Sequence, residues 1–185
     1  SERPSEALIE KNEYQEIIQL WINSPASSKM KPPEYYYLSN EIITKFSSED
    51  KKVANKLIAG NIEQLKGNII LQSDLLIIWS EGEKEGSQKI TIPKNFNCML
   101  YVIRGDINIK GYGLVEKEHL AVFNDEEGII EVTFKSKGQI LLMSGQPINE
   151  KVTQSGPFVM NSQTELLEAM RDYQMGKMGI LIEED

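Results

Sequence analysis

Residues 98–109 read "CMLYVIRGDINI", two apolar runs, Met99–Ile103 and Ile107–Ile109, joined through Arg104-Gly105-Asp106. A glycine between two short apolar runs suits a tight hairpin, because glycine enters the left-handed turn region without a Cβ penalty. The tripeptide is therefore read as a turn and not as an adhesion motif. Outward from this hairpin, strand-like runs follow one another at 41–46, 53–59, 75–79, 89–92, 120–123, 129–134 and 139–143. Their separators include "SEGEKEGSQ" (80–88) and "NDEEG" (124–128). Short strands divided by polar turns predict an antiparallel sandwich or barrel in place of parallel βαβ units.

Toward the amino end, Ile18, Leu20 and Ile22 alternate with Gln19, Trp21 and Asn23, the period of two of a further strand over 15–22. "NSPASSKMKPPEYYYL" (23–38) holds three prolines and a serine cluster, so it cannot continue a central strand and reads as a linker. Toward the carboxyl end, "GPFVMNSQTE" (156–165) runs an apolar strand or plug into a helix start. Ser162 and Glu165 have the spacing of a reciprocal capping pair, predicting a helix over about 162–175. Leu166, Met170 and Tyr173 would form its apolar stripe, and Gly176 would close it.

With 28 Asp and Glu against 20 Lys and Arg, the net charge of −8 opposes direct docking on nucleic acid. The longest apolar run, Cys98–Ile103, is far too short to span a bilayer, and "SERPSEALIEKNEY" lacks the apolar core of a secretion signal, so a cytoplasmic chain with no membrane partner is expected. A single cysteine fits a reducing compartment. No initiator Met opens the chain, which predicts processing, trimming or a fragment.

Sites for chemistry are scarce. Transition-metal sites draw on several converging imidazoles, thiolates or carboxylates, and this chain has one histidine, His119, and one cysteine, Cys98. His119 is read as a surface or strand-end imidazole and Cys98 as a buried, inert thiol. No GxSxG elbow presents a serine. Glu83 with Glu85, and Asp125 with Glu126 and Glu127, lie in glycine-flanked turns where hydration keeps carboxylates ordinary. "GYG" (111–113) lacks the length and the basic residue of a phosphate cradle. Met160, Met170, Met175 and Met178 are read as core-filling more than as a binding surface. No catalytic and no cofactor-binding residue is assigned.

The ending "SGQPINEKVTQSGPFVMNSQTELLEAMRDYQMGKMG" (144–179) closely resembles the carboxyl-terminal signature of the pirin family, which are two-domain cupin proteins. "QLWIN" (19–23), "KMKPP" (29–33), "IAGN" (58–61) and "YVIRGDINIKG" (101–111) occur in the matching order. The resemblance implies a mainly all-β chain: a cupin-type antiparallel β-sandwich or jelly-roll barrel with one C-terminal α-helix. It implies that residues 1–34 are the terminal strands of an N-terminal cupin otherwise missing here, 35–43 a linker, and 44–185 the C-terminal cupin closed by its helix.

In pirins the metal sits in the first cupin, on an HxH pair, a third histidine and the glutamate of "HSE". The resemblance implies that Glu2, in Ser1-Glu2, holds the fourth-ligand position, with all three histidines upstream of Ser1. Iron or another divalent transition metal then belongs to an intact parent, and no cofactor is expected in this chain. The implied role is a metal-free structural and interaction cupin that is not catalytic alone. The resemblance also admits a piece of a metal-dependent quercetin-type dioxygenase, or a redox-linked transcriptional cofactor acting through protein contacts. The expected partner is the missing N-terminal cupin half, or a second copy through strand exchange that rescues the bared strand at 15–22.

Overall fold

A computed structural model describes residues 16–69, 71–124 and 128–179. These fall into two compact units, one built from residues 30–149 and the other from 16–29 with 150–179.

The larger unit is an antiparallel sandwich. Its strands are β1 (Thr44–Ser47), β2 (Val53–Ala59), β3 (Asn61–Ile62), β4 (Leu65–Lys66), β5 (Leu75–Gly82), β6 (Ser87–Ile92), β7 (Asn97–Arg104), β8 (Ile107–Ile109), β9 (Gly113–Val115), β10 (Leu120–Val122), β11 (Gly128–Phe134) and β12 (Gly138–Gly145). One sheet has the order β1-β2-β5-β12-β7-β10, a second the order β6-β11-β8-β9, and β3-β4 is a separate small hairpin. The nine runs expected from sequence are all strands here, with ends shifted by up to three residues; β3, β4 and β9 were not foreseen, being only two or three residues long. Arg104-Gly105-Asp106 is the expected turn: Gly105 takes φ 71°, and Asp106 is held by the Ser136 hydroxyl on its N–H at 3.1 Å.

Alternation sends one residue in two between the sheets. Val53, Leu57, Ile78, Ile90, Leu100, Val102, Ile107, Val132, Phe134, Ile140 and Leu142 are all fully buried there. The two layers pass close at Gly82, where an added Cβ would lie 2.3 Å from the Phe134 ring.

The smaller unit has α1 (Ala26–Lys29), the hairpin β13 (Thr153–Ser155) with β14 (Phe158–Met160), and α2 (Gln163–Gln174). Ser162 caps α2 by accepting the Glu165 N–H at 3.3 Å, while the Glu165 carboxylate accepts the N–H of Asn161 at 3.1 Å, one residue before the cap. Gly176 follows with φ 72°, as expected of a left-handed closure. Met160, Leu166 and Ala169 are buried together, with Phe158 and Met170 against them, and Phe158 meets Tyr173 edge-on at 5.7 Å. Glu150 accepts the Ala26 N–H at 2.8 Å, and the Lys29 ammonium donates to the Val159 carbonyl at 3.3 Å.

One expectation changes. Residues 16–22 carry no strand, because alternation shapes a strand only where a neighbouring strand supplies the ladder, and no described strand is laddered onto them. The apolar stripe of the closing helix is met by the hairpin residues Phe158 and Met160, and the helix groups by contact with residues 16–29.

Candidate functional site

The space between the sheets is where a barrel of this kind would enclose a ligand, and here it is filled. Beside the aliphatic core stands a polar cluster from three strands, the neighbours β2 and β5 of one sheet and β6 of the other. The Ser80 hydroxyl donates to Asn55 Oδ1 at 2.6 Å, Asn55 Nδ2 donates to Gln88 Oε1 at 2.9 Å, and Gln88 Nε2 donates to the Lys89 carbonyl at 2.9 Å. Asn55 is 1% exposed and Ser80 0%. Each buried amide or hydroxyl has a hydrogen-bond partner within the cluster or on the Lys89 carbonyl, so among the described residues none of its buried polar atoms is left unpaired. Sequence reading missed it, because inward polar residues on strands look like outward ones unless the register is known.

Gln88 also touches a cavity of about 410 Å³, lined with Phe46, Ile62 and Leu65 on one side and Ser48, Asp50 and Glu131 on another. Asp50 is committed to structure: it accepts from the Ser48 hydroxyl at 2.5 Å, the Lys52 N–H at 2.9 Å and the Ser87 N–H at 2.8 Å. These bonds, the Ser48 hydroxyl foremost, hold its carboxyl below the usual carboxylate range. Glu131 is likewise lowered by its bond from the Lys110 ammonium at 2.9 Å.

The residues singled out from sequence do not converge. His119 is exposed in the β9–β10 connection, its Nδ1 3.0 Å from the Lys117 carbonyl. Cys98 is buried on β7, and burial pushes its thiol up to about 11, a bond with Ser144 offsetting part of the shift. Glu83 pairs with Lys137 at 2.8 Å and Glu85 with Lys135 at 4.0 Å, both at the surface. Gly111 and Gly113 shape the β8–β9 turn with φ 85° and 121°. Met160 and Met170 pack as expected, but Met175 and Met178 are exposed by 64% and 53%. Glu2, Asp125, Glu126 and Glu127 lie outside the described residues. Among the described residues no three His, Cys, Asp or Glu side chains gather to hold a metal ion, and a protonated buried thiol with a distant surface imidazole does not fit one.

The unusual surface is the outer face of the six-stranded sheet. Two register rows cross its strands: Trp79, Leu141, Tyr101 and Leu120, then Ile77, Met143, Met99 and Val122. At one end the apolar rows stop at the polar row Glu81, Gln139 and Arg104. The signal lay in "LLIIWS" (75–80), an apolar run without alternation, which marks a strand apolar on both faces. The outer face of the four-stranded sheet is more mixed: there Lys89 opposes Glu131 and Ser87 opposes Thr133, while Ile129 is also exposed.

Comparison with known proteins agrees with this architecture. The family model of the pirin C-terminal cupin domain matches residues 78–179. Pirin-1 of Arabidopsis thaliana is 36% identical over 169 residues, covering 88% of this chain and 58% of that protein. Pirin of Homo sapiens is 30% identical over 166 residues, covering 88% of this chain and 57% of that protein. The crystal structure of a quercetin 2,3-dioxygenase from Acinetobacter baumannii has a TM-score of 0.81 at 26% identity, over 88% of this chain and 56% of that one. The chain spans a little over half the length of these relatives. With its antiparallel cupin sandwich, its C-terminal helix and a family match over residues 78–179, the chain belongs to the pirin family.

Proposed function

We propose that this chain is the non-catalytic, metal-free structural and interaction cupin of a longer pirin. The observation that supports the reading is the hydrogen-bonded interior: Ser80, Asn55 and Gln88 bond in a chain that ends on the Lys89 carbonyl, and the cluster supplies no imidazole, thiolate or carboxylate to a metal. In this reading residues 1–34 end a preceding cupin, 35–43 connect, and 44–185 form the second domain with its helix. The parent's metal, iron or another divalent transition ion, is held by upstream histidines with Glu2 as fourth ligand. Residues 16–22 belong beside the preceding half, or beside a second copy by exchange; exposure of Ile17, Ile18, Leu20, Trp21 and Ile22 supports a missing neighbour. No described helix is long and apolar enough to cross a membrane, and the reading keeps the chain cytoplasmic, without direct nucleic-acid contact.

The parent's activity in this reading is metal-dependent oxygenation of a quercetin-like flavonol. Metal analysis and flavonol turnover test it. The purified 185-residue chain is expected to hold no stoichiometric iron and to turn over no flavonol, and either result in the opposite sense overturns the reading. The broad apolar outer face favours a second reading, a regulatory cofactor that works through protein contacts.

A further inference from the structure

We infer that the open side of the sandwich binds a small organic cation, an ammonium carried on an aromatic body. β1 ends the order of the six-stranded sheet and β6 that of the four-stranded one, so on this side no ladder joins the two layers. The cavity of about 410 Å³ lies between those two edges, within the larger unit, and the β3–β4 hairpin supplies a third wall. Its volume falls at the lower end of small-molecule sites, which span about 300–1,000 Å³.

The chemistry of the walls defines the ligand. Phe46, Ile62 and Leu65 pack against the core cluster yet also line the cavity, and they give an apolar surface that an aromatic ring can cover. Gln88 is the polar anchor, 5% exposed and also lining the cavity. Its bonds with Asn55 and the Lys89 carbonyl use one Nε2 hydrogen and one Oε1 lone pair, so the amide keeps a second donor and a second acceptor for a hydroxyl entering beside it. The sign of the ligand's charge follows from the carboxylates. Glu49, Asp50, Glu63 and Glu131 line the cavity with one ammonium, Lys89. Lys110 offsets Glu131 at 2.9 Å, and negative charge still prevails. Hydrogen bonds from the Ser48 hydroxyl and the Lys110 ammonium hold the Asp50 and Glu131 carboxyls below the usual range, so both stay ionised at neutral pH. Asp50 is committed to the β1–β2 turn, which leaves the exposed Glu49 and Glu63 to meet the ammonium. An anion of the same shape would meet repulsion at this wall.

A matched pair of ligands tests the site. Tyramine, an aromatic ring with an ammonium at one end and a hydroxyl at the other, is titrated into the 185-residue chain beside para-hydroxyphenylpropionate, which has nearly the same shape and the opposite charge. Backbone amide NMR shifts locate the binding and their saturation gives Kd. Tyramine shifts should converge on residues 46–50, 62–65, 87–89 and 131. They should saturate with a Kd on the order of 1 mM, as suits about ten non-hydrogen atoms in an open site. The propionate should bind at least about tenfold more weakly. Glu49→Gln combined with Glu63→Asn should weaken tyramine about fivefold while the urea midpoint stays nearly unchanged, because both positions are exposed. Asparagine is used at 63 because Glu63 sits at φ 51°, a conformation asparagine tolerates. Phe46→Leu, which keeps an apolar wall and removes the ring, should weaken tyramine about threefold. Equal affinity for the two ligands, shifts spread over the acidic surface without saturation, or unchanged tyramine binding in the Glu49→Gln, Glu63→Asn chain each overturns the inference.

Discussion

Replacing Asn55 with leucine tests whether the closed polar cluster is a structural element of the interior. Asn55 accepts from Ser80 at 2.6 Å and donates to Gln88 at 2.9 Å, with 1% of its surface exposed. Leucine has nearly the same length, so the packing volume changes little, but both partners lose their bonds in a dry place. A buried polar group left unpaired costs about 1–3 kcal/mol, and Gln88 keeps its bond to the Lys89 carbonyl. Leucine returns about 1 kcal/mol of apolar burial, leaving Asn55→Leu destabilised by about 2–4 kcal/mol. Ser80→Ala alone should cost about 1–2 kcal/mol, because it strands only Asn55 Oδ1. In the double variant the orphaned hydroxyl is gone, so the combined loss should fall short of the sum by about 1–2 kcal/mol. Urea unfolding followed by Trp79 fluorescence, in a Trp21→Phe background that leaves one tryptophan in the sandwich, measures all four corners of the cycle. Additive losses, or an Asn55→Leu chain within about 0.5 kcal/mol of the parent sequence, would refute the argument that the cluster is dry and mutually satisfied.

Three further outcomes are expected. Gly82→Ala pushes a methyl to 2.3 Å from the fully buried Phe134 ring, and should lower sandwich stability by about 1–3 kcal/mol in the same unfolding assay. Because hydrogen bonds lower the Asp50 pKa in the folded chain, its contribution is present above the unfolded carboxylate's pKa and is lost as pH falls through the folded value; stability measured from neutral to acidic pH should fall less steeply in Asp50→Asn than in the native chain. Ser162→Ala removes the acceptor of the Glu165 N–H and should cost α2 about 1 kcal/mol, seen as faster amide exchange in residues 163–166 while β5 and β12 stay protected.

Much of this molecule was legible from local chemistry. Apolar runs with period two placed the strands because alternate side chains of a strand face opposite ways, and polar glycine-bearing separators marked their turns. The Ser162 and Glu165 pair announced a helix because its first amides need acceptors nearby in sequence. What tertiary structure decided depends on register and on neighbours distant in the chain. The alternation at 16–22 made no strand, since a ladder needs a neighbouring strand and local sequence does not say whether one lies alongside. Asn55, Ser80 and Gln88 meet only because β2, β5 and β6 are brought together over sequence separations of 25 and 33 residues. The apolar rows of the outer face likewise exist only once β5, β12, β7 and β10 lie side by side in the order no sequence position records. Local sequence sets what each segment prefers, whereas long-range pairing decides which preferences meet.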